Sequence, residues 1–229
     1  MENRSSKVIA MVGLVAGIVG LSLGFAAFSN TLTIKSSASV TPDQSTFDVN
    51  LYANTEGTTT SGVAVTNSSS LTVGTASISN DDTENPGTAS IEGLSATFTQ
   101  PGQSVSYTFY AKNVGNYNAF LKTITFNQAS GSSTYIKCTP ASGTDATLTA
   151  TACNHIHLTV QVGNDTATSA PVAGYGPVTV NSHSLVKGAY EPIVVTISYD
   201  AETSETGIIR ADGNFSVAFG DVDLYYASV

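Results

Sequence analysis

Three histidines, His155, His157 and His183, are the residues of this chain best suited to chemistry. Imidazole nitrogens bind zinc or copper and move protons near neutral pH. His155 and His157 stand two apart in HIHLTVQVG (155–163), a segment that alternates apolar and polar residues. Side chains alternate across a strand, so both imidazoles belong to one face. Joined by His183 or a carboxylate, they would form a metal site of hydrolase type. The supporting motifs are missing, because the sequence has no HExxH, and its one GxSxG string, Gly20-Leu21-Ser22-Leu23-Gly24, falls in the uncharged N-terminal run and is no nucleophile elbow. Solvent-facing or loop-supporting histidines are therefore the favoured reading. No catalytic residue, metal site or cofactor is assigned.

Carboxylates gather at Asp81, Asp82 and Glu84, at Asp200, Glu202 and Glu205, and at Asp221 and Asp223. Oxygen clusters in loops hold calcium outside cells. None of these has EF-hand spacing, so solvated turns are expected. No segment after residue 30 has helical periodicity, so there is no helix for a phosphate-binding loop to open. Asn67, Asn164 and Asn214 each begin an N-x-S/T sequon, which matters only where the source glycosylates it. Cys138 and Cys153 are the two cysteines. In an exported chain an even count points to a disulfide, against the alternative of two unrelated thiols. The closed loop of about 16 residues would contribute ~3 kcal/mol in the chain-entropy model. The spacing lacks the paired CxxC elements of a zinc site.

Export is read from the N-terminus. MENRSSK carries Arg4 and Lys7, and residues 8–28, VIAMVGLVAGIVGLSLGFAAF, carry no charge. This is the layout of a signal peptide, with Gly24 and Ala26 supporting a cut between Ala26 and Ala27. The run is also long enough to cross a ~30 Å hydrocarbon core, so an uncleaved anchor is the rival. In both cases Arg4 and Lys7 stay inside, and the chain from about residue 29 faces out. A type IV pilin leader would show a basic-Gly cut and a following Glu, and neither is present.

The elements that follow are strands. Phe28, Leu32, Ile34, Ala38 and Val40 share one parity, opposite Ser29, Thr31, Thr33, Lys35, Ser37 and Ser39. That is a period-2 strand with one oily face, interrupted at Asn30 and Ser36 and closed by Thr41-Pro42-Asp43. Further strands are expected at 47–54, weakly at 63–66 and 71–79, and at 88–99, 103–113, 119–127, 155–163, 178–180, 184–186, 191–200 and 214–229. The segments 88–99 and 103–113, joined by Pro101-Gly102, read as the clearest pair. On the second, Val105, Tyr107 and Phe109 alternate with Ser104, Ser106 and Thr108. Residues 119–127 set Phe120, Lys122, Ile124 and Phe126 against Leu121, Thr123 and Thr125. Residues 128–154 read as loop-rich, and Gly220 as a bulge or bend in the last strand. The expected architecture is an all-β, jelly-roll-like antiparallel β-sandwich preceded by an N-terminal hydrophobic helix. Its parts are 1–26 as signal peptide or anchor, 27–40 as candidate donor strand and 41–229 as sandwich domain.

Composition narrows the partners. Charged residues make up 11% of the 229 and apolar ones 41%. Short apolar runs argue against disorder, and Ser, Thr, Gly and Asn suit a pleated extracellular surface. The net charge is −9, and losing Glu2, Arg4 and Lys7 with residues 1–26 would bring it to −10. An acidic surface disfavours nucleic acid and anionic lipid, leaving residues 8–28 as the only membrane contact.

Several stretches together resemble the TasA/camelysin family of secreted β-proteins. They are Gly24-Phe25-Ala26-Ala27-Phe28-Ser29-Asn30, like that family's "WAAFND" ending, then Phe98-Thr99-Gln100-Pro101-Gly102-Gln103, Tyr107-Thr108-Phe109, Lys112-Asn113-Val114-Gly115-Asn116 and Ala119, and Phe215, Val217 and Phe219 of the closing strand. Residues 128–187 have no counterpart in the family. The resemblance implies a jelly-roll subunit of extracellular biofilm-matrix fibres, released by a dedicated signal peptidase. It also implies head-to-tail self-assembly, an N-terminal strand of one subunit filling a groove in the next. Camelysin-like members are described as metalloproteases, an activity not carried over without a zinc motif. Physics supports assembly separately. A freed strand at 27–40 would pair with an open sheet edge and bury Phe28, Leu32 and Ile34, at ~1.5–3 kcal/mol each before ordering costs. The same oily face would equally serve as the first strand of its own sandwich. The rivals to the fibre subunit are an anchored monomeric adhesin and a metal-dependent peptidase using His155, His157 and His183.

Overall fold

A computed structural model describes residues 48–80, 87–164, 167–171, 174–204 and 207–228. The hydrophobic helix, the cleavage residues Ala26 and Ala27, and Phe28, Leu32, Ile34, Ala38 and Val40 of the donor segment lie outside the described residues. The strands in chain order are β1 (Val49–Tyr52), β2 (Ala64–Asn67), β3 (Thr72–Val73), β4 (Ser77–Asn80), β5 (Thr88–Glu92), β6 (Ser95–Phe98), β7 (Ser104–Asn113), β8 (Ala119–Phe126) and β9 (Ile136–Pro140). After one helix, α1 (Ala146–Cys153), come β10 (Ile156–Val162), β11 (Thr168–Ser169), β12 (Gly176–Leu185), β13 (Tyr190–Tyr199), β14 (Phe215–Phe219) and β15 (Val222–Ser228).

These strands form the expected jelly-roll-like β-sandwich, and every pairing between them is antiparallel. The first layer runs β1-β7-β13-β10-β11, with β2 continuing the β1 edge along β7. The second layer is made of two sheets, β12-β8-β15-β5-β4 and β3-β6-β14-β9. These two are one sheet with a crease. The β5–β15 ladder ends at Ile91↔Val222, and the β6–β14 ladder resumes at Ser95↔Ala218. Gly93 and Gly220 sit on the crease. Gly93 has φ +72°, and a Cβ there would lie 2.8 Å from the Thr75 carbonyl oxygen. A Cβ on Gly220 would overlap the backbone of Asn127 and Gln128. Only glycine lets the chains approach this closely.

Alternation builds the core. Val105, Tyr107, Phe109 and Ala111 of β7 and Ile193, Val195, Ile197 and Tyr199 of β13 are buried against Phe98, Ile124, Phe126, Phe215 and Leu224 of the second layer. Each large side chain so buried contributes roughly 1.5–3 kcal/mol. Polar groups lock the layers. The Tyr107 hydroxyl donates to the Ser95 carbonyl at 2.9 Å, and the Tyr226 hydroxyl to Glu191 Oε1 at 3.1 Å. Burial, followed by the Glu191 carboxylate, pushes the Tyr226 hydroxyl well above the ordinary phenol range.

Four expectations are corrected. First, β6 and β7 are not a hairpin, since β6 pairs with β3 and β14 while β7 pairs with β1, β2 and β13. Pro101-Gly102 instead carries the chain between layers. Buried Gln103 holds that corner, accepting from the Thr99 and Gln100 amides at 2.8 and 3.1 Å and donating to the Ser69 carbonyl. Second, β8 does not keep one parity. Ala119 and Leu121 are buried before Lys122, and Ile124 and Phe126 after it. Against β15 the register steps from Tyr225↔Thr123 to Tyr226↔Leu121, so Lys122 is the extra residue of a bulge. Phe120 is thereby left only half-buried. Third, 178–180 and 184–185 belong to a single strand, β12, which ends at Leu185 and has a register shift between Thr179 and His183. Fourth, residues 128–154 hold β9 and α1 as well as loop. Replacing Gly220 by Ala should lower the urea midpoint by the equivalent of ~1–3 kcal/mol, as for other overpacked sites. An unchanged midpoint would show that the crease tolerates a side chain.

Candidate functional site

The loop-rich segment creates a concave feature. From β9, an edge strand of the second layer, the chain turns at residues 141–145, runs through α1, and enters β10 of the first layer. Between β9, α1, β10 and β11 lies a half-open cleft of about 840 Å³. That is within the usual ~300–1,000 Å³ of ligand sites. Apolar Ile136, Ala146, Ala150, Ile156, Leu158 and Ala170 line it together with polar Ser132, Thr134, Asn154, His157 and Ser169, and Lys137 is its one Lys, Arg, Asp or Glu.

Two strand edges face this cleft. Gly220 N–H donates to the Tyr135 carbonyl and Ala141 N–H to that of Asn214. Odd-numbered residues of β9 therefore bond to β14, and Cys138 turns its backbone toward the cleft. Likewise Asp200 N–H donates to the His155 carbonyl and Gly163 N–H to that of Pro192. Odd residues of β10 serve β13, so the backbone groups of Ile156 point away from β13 while its side chain is buried in the core. The two-residue β11 covers only the Thr159–Val160 part of that outer edge, with Ala170 N–H reaching the Leu158 carbonyl.

The helix in this wall has no apolar stripe, which is why its sequence, ATLTATAC, does not announce it. Only Thr149 and Ala152 are buried. Two devices hold it. Asp145 is the N-cap, its Oδ1 accepting from Thr147 N–H at 2.6 Å and Leu148 N–H at 3.1 Å. The Leu148 amide, then that of Thr147, keep the Asp145 carboxyl below the ordinary carboxylate range. The second device is the disulfide, which forms as expected. Cys138 of β9 is bonded to Cys153 at the end of α1, with Cα atoms 6.1 Å apart.

The histidine pair lies at the cleft's mouth. His155 and His157 do share a face, and both turn to Asp200, a partner that spacing alone did not indicate. His157 Nε2 is 2.9 Å and His155 Nδ1 3.5 Å from Asp200 Oδ2. His183 is on β12 in the second layer, opposite Leu121 of β8, whereas His155 and His157 belong to the β10 end of the first layer. Among the described residues no group of three or more His, Cys, Asp or Glu is arranged to hold a metal ion. Two of the acidic groups are engaged by protein partners. Glu202 forms a two-pronged pair with Arg210, and Asp223 accepts from Ser90 and Asn127, both at 2.7 Å. Asp81, Asp82, Glu84 and Glu205 lie outside the described residues.

No family model matches the chain, and no curated protein matches it. Among solved structures, a family two carbohydrate esterase from Cellvibrio japonicus is similar at 13% identity, over 73% of this chain and 34% of that chain, with a TM-score of 0.21. The chain thus spans about a third of that structure's length. A likeness this slight carries no argument about activity.

The cap makes α1 sensitive to acid. Asp145 titrates lower when folded, so its support is complete above the unfolded value near ~4 and fades as pH falls through the folded one. Hydrogen exchange should show α1 amides losing protection on acidification while β7 stays protected. Asp145→Asn should keep the cap without that pH dependence, and Asp145→Ala should lack it at every pH. Equal protection in all three would remove Asp145 from the account.

Proposed function

We propose that this chain is an exported structural subunit that assembles with copies of itself outside the cell, one molecule lending an N-terminal strand to the next. One observation carries the reading. The sandwich has strand edges paired along one side only, and the chain holds an oily, alternating segment at 28–40 that such an edge accepts. The low charge, the disulfide and the apolar run at 8–28 fit export to an oxidising compartment. The enzyme reading has less behind it, because Asp200 already engages His155 and His157, and His183 belongs to β12 of the other layer.

Strand lending works through backbone hydrogen bonds for affinity and alternate side chains for selectivity. Phe28, Leu32 and Ile34 would enter apolar positions of the receiving molecule, while Thr31, Thr33 and Lys35 stay in water. The resulting polymer is head-to-tail and grows as long as each molecule has one segment to give and one edge to offer. A signal peptidase acting between Ala26 and Ala27 would free that segment from the membrane.

Removing residues 27–35 from the exported chain should abolish filaments in electron micrographs and leave the β-sheet circular dichroism unchanged. Filaments that persist would rule out strand lending. Mass spectrometry of the exported chain's N-terminus should find it at Ala27. An intact residue 8–28 segment on non-assembling molecules would favour the anchored monomer.

A further inference from the structure

We infer that the cleft between β9 and β10 is the surface that receives residues 28–40 of a second copy, and that it exists in working form only while Cys138 and Cys153 are bonded. This rests on the assembly reading above and adds its location and its control.

Location follows from edges, chemistry and reach. The backbone edges of Cys138 and Ile156 face the cleft from the two layers, so an extended chain laid there meets hydrogen-bonding groups as well as apolar walls. The one charge in residues 28–40 is Lys35, on the opposite parity from Phe28, Leu32 and Ile34. The oily side chains therefore enter a cleft with no carboxylate lining while Lys35 stays in water. A molecule's own segment is poorly placed to do this. Its described chain begins at Asp48 and enters β1, at the opposite edge of the first layer from β10. Three strand spacings, about 14 Å, separate those strands. Thr41-Pro42-Asp43 reads as a turn, and the four residues after it span at most ~14 Å. Val49 is level with Asn113 of β7, and Ile156, through Tyr199, with Gln103. The cleft edge therefore also lies ten residues, roughly 33 Å, further along the strands. The four residues fall short of it, whereas a second copy has no such limit.

Control follows from how little holds α1. An eight-residue helix is too short to persist alone, and this one buries only two side chains. The disulfide ties its last turn to β9, and both cysteines line the cleft, within reach of solvent. When the bond forms, two thiols give up two protons and two electrons to a thiol–disulfide oxidant of the export compartment. The wall of the cleft then closes up. Reduction returns two electrons and two protons, splits the S–S bond and frees α1. The sheets take only Cys138, on the edge strand β9, from this crosslink and nothing from the helix, so they stand without either. Inside a reducing cytoplasm the subunit would fold but not polymerise.

The test uses the chain as producing cells export it, with a photo-crosslinking phenylalanine analogue at position 32 and isotopically light and heavy chains mixed. Light-to-heavy crosslinks should fall on residues 136–140 and 156–158. Excess dithiothreitol should lower their yield at least about tenfold, as loss of a binding wall would, with the sheet signal kept. Crosslinks between chains on another edge, such as β4 or β12, would overturn the location and leave assembly standing. Crosslinks only within one chain, or none, would overturn assembly itself. Cleft crosslinks that survive full reduction, or sheets that unfold on reduction, would overturn the control.

Discussion

Ten residues of β7 organise the molecule. Val105, Tyr107, Phe109, Ala111 and Asn113 point inward without a break, and both edges of the strand are paired, to β1 and β2 on one side and β13 on the other. Burying that face requires a second layer, and the crossings at either end of β7 must bring the chain there and back. Each end has a buried amide side chain for the purpose. Gln103 gathers the Thr99 and Gln100 amides, and Asn113 donates to the Tyr117 and Leu185 carbonyls while accepting from Gly115 N–H. A buried amide left without partners is costly, so these bonds fix the corners as firmly as packing fixes the strand.

Closing the core in this way leaves the rims. A two-layer sandwich cannot remove its edges as a barrel does. Here the rim beside β9 and β10 is bridged by a helix that contributes little burial and depends on a cap and a crosslink. The chain has placed its least self-sufficient element next to its most accessible backbone. In a protein that acts alone this is a hazard. In one that joins copies of itself, it is a junction whose shape can be set after export.

The histidines illustrate the distance between composition and chemistry. Two imidazoles on one face are a start toward a metal site, but Asp200 comes to them as a single bridging acceptor at the end of β13. The result is a small polar cluster at the rim, joining the start of β10 to its neighbour, where the Asp200 amide also bonds to the His155 carbonyl.

Period-2 alternation sufficed to read the inward face of β7, the strands β10 and β13, the all-β class and the bend at Gly220, because each depends on side chains a few residues apart. The cysteine count, read together with the export segment expected at the N-terminus, likewise pointed to the Cys138–Cys153 bond. Tertiary structure alone decided what each strand meets. Pro101-Gly102 is equally compatible with a hairpin and a crossing, and long-range pairing chose the crossing. The Lys122 bulge arises from register against β15, and α1 from a cap and a crosslink rather than from an apolar stripe. The cleft is formed by residues far apart in the chain, on two sheet edges and a helix. No local pattern encodes their meeting, since it depends on how the layers stack once every oily face has found its cover.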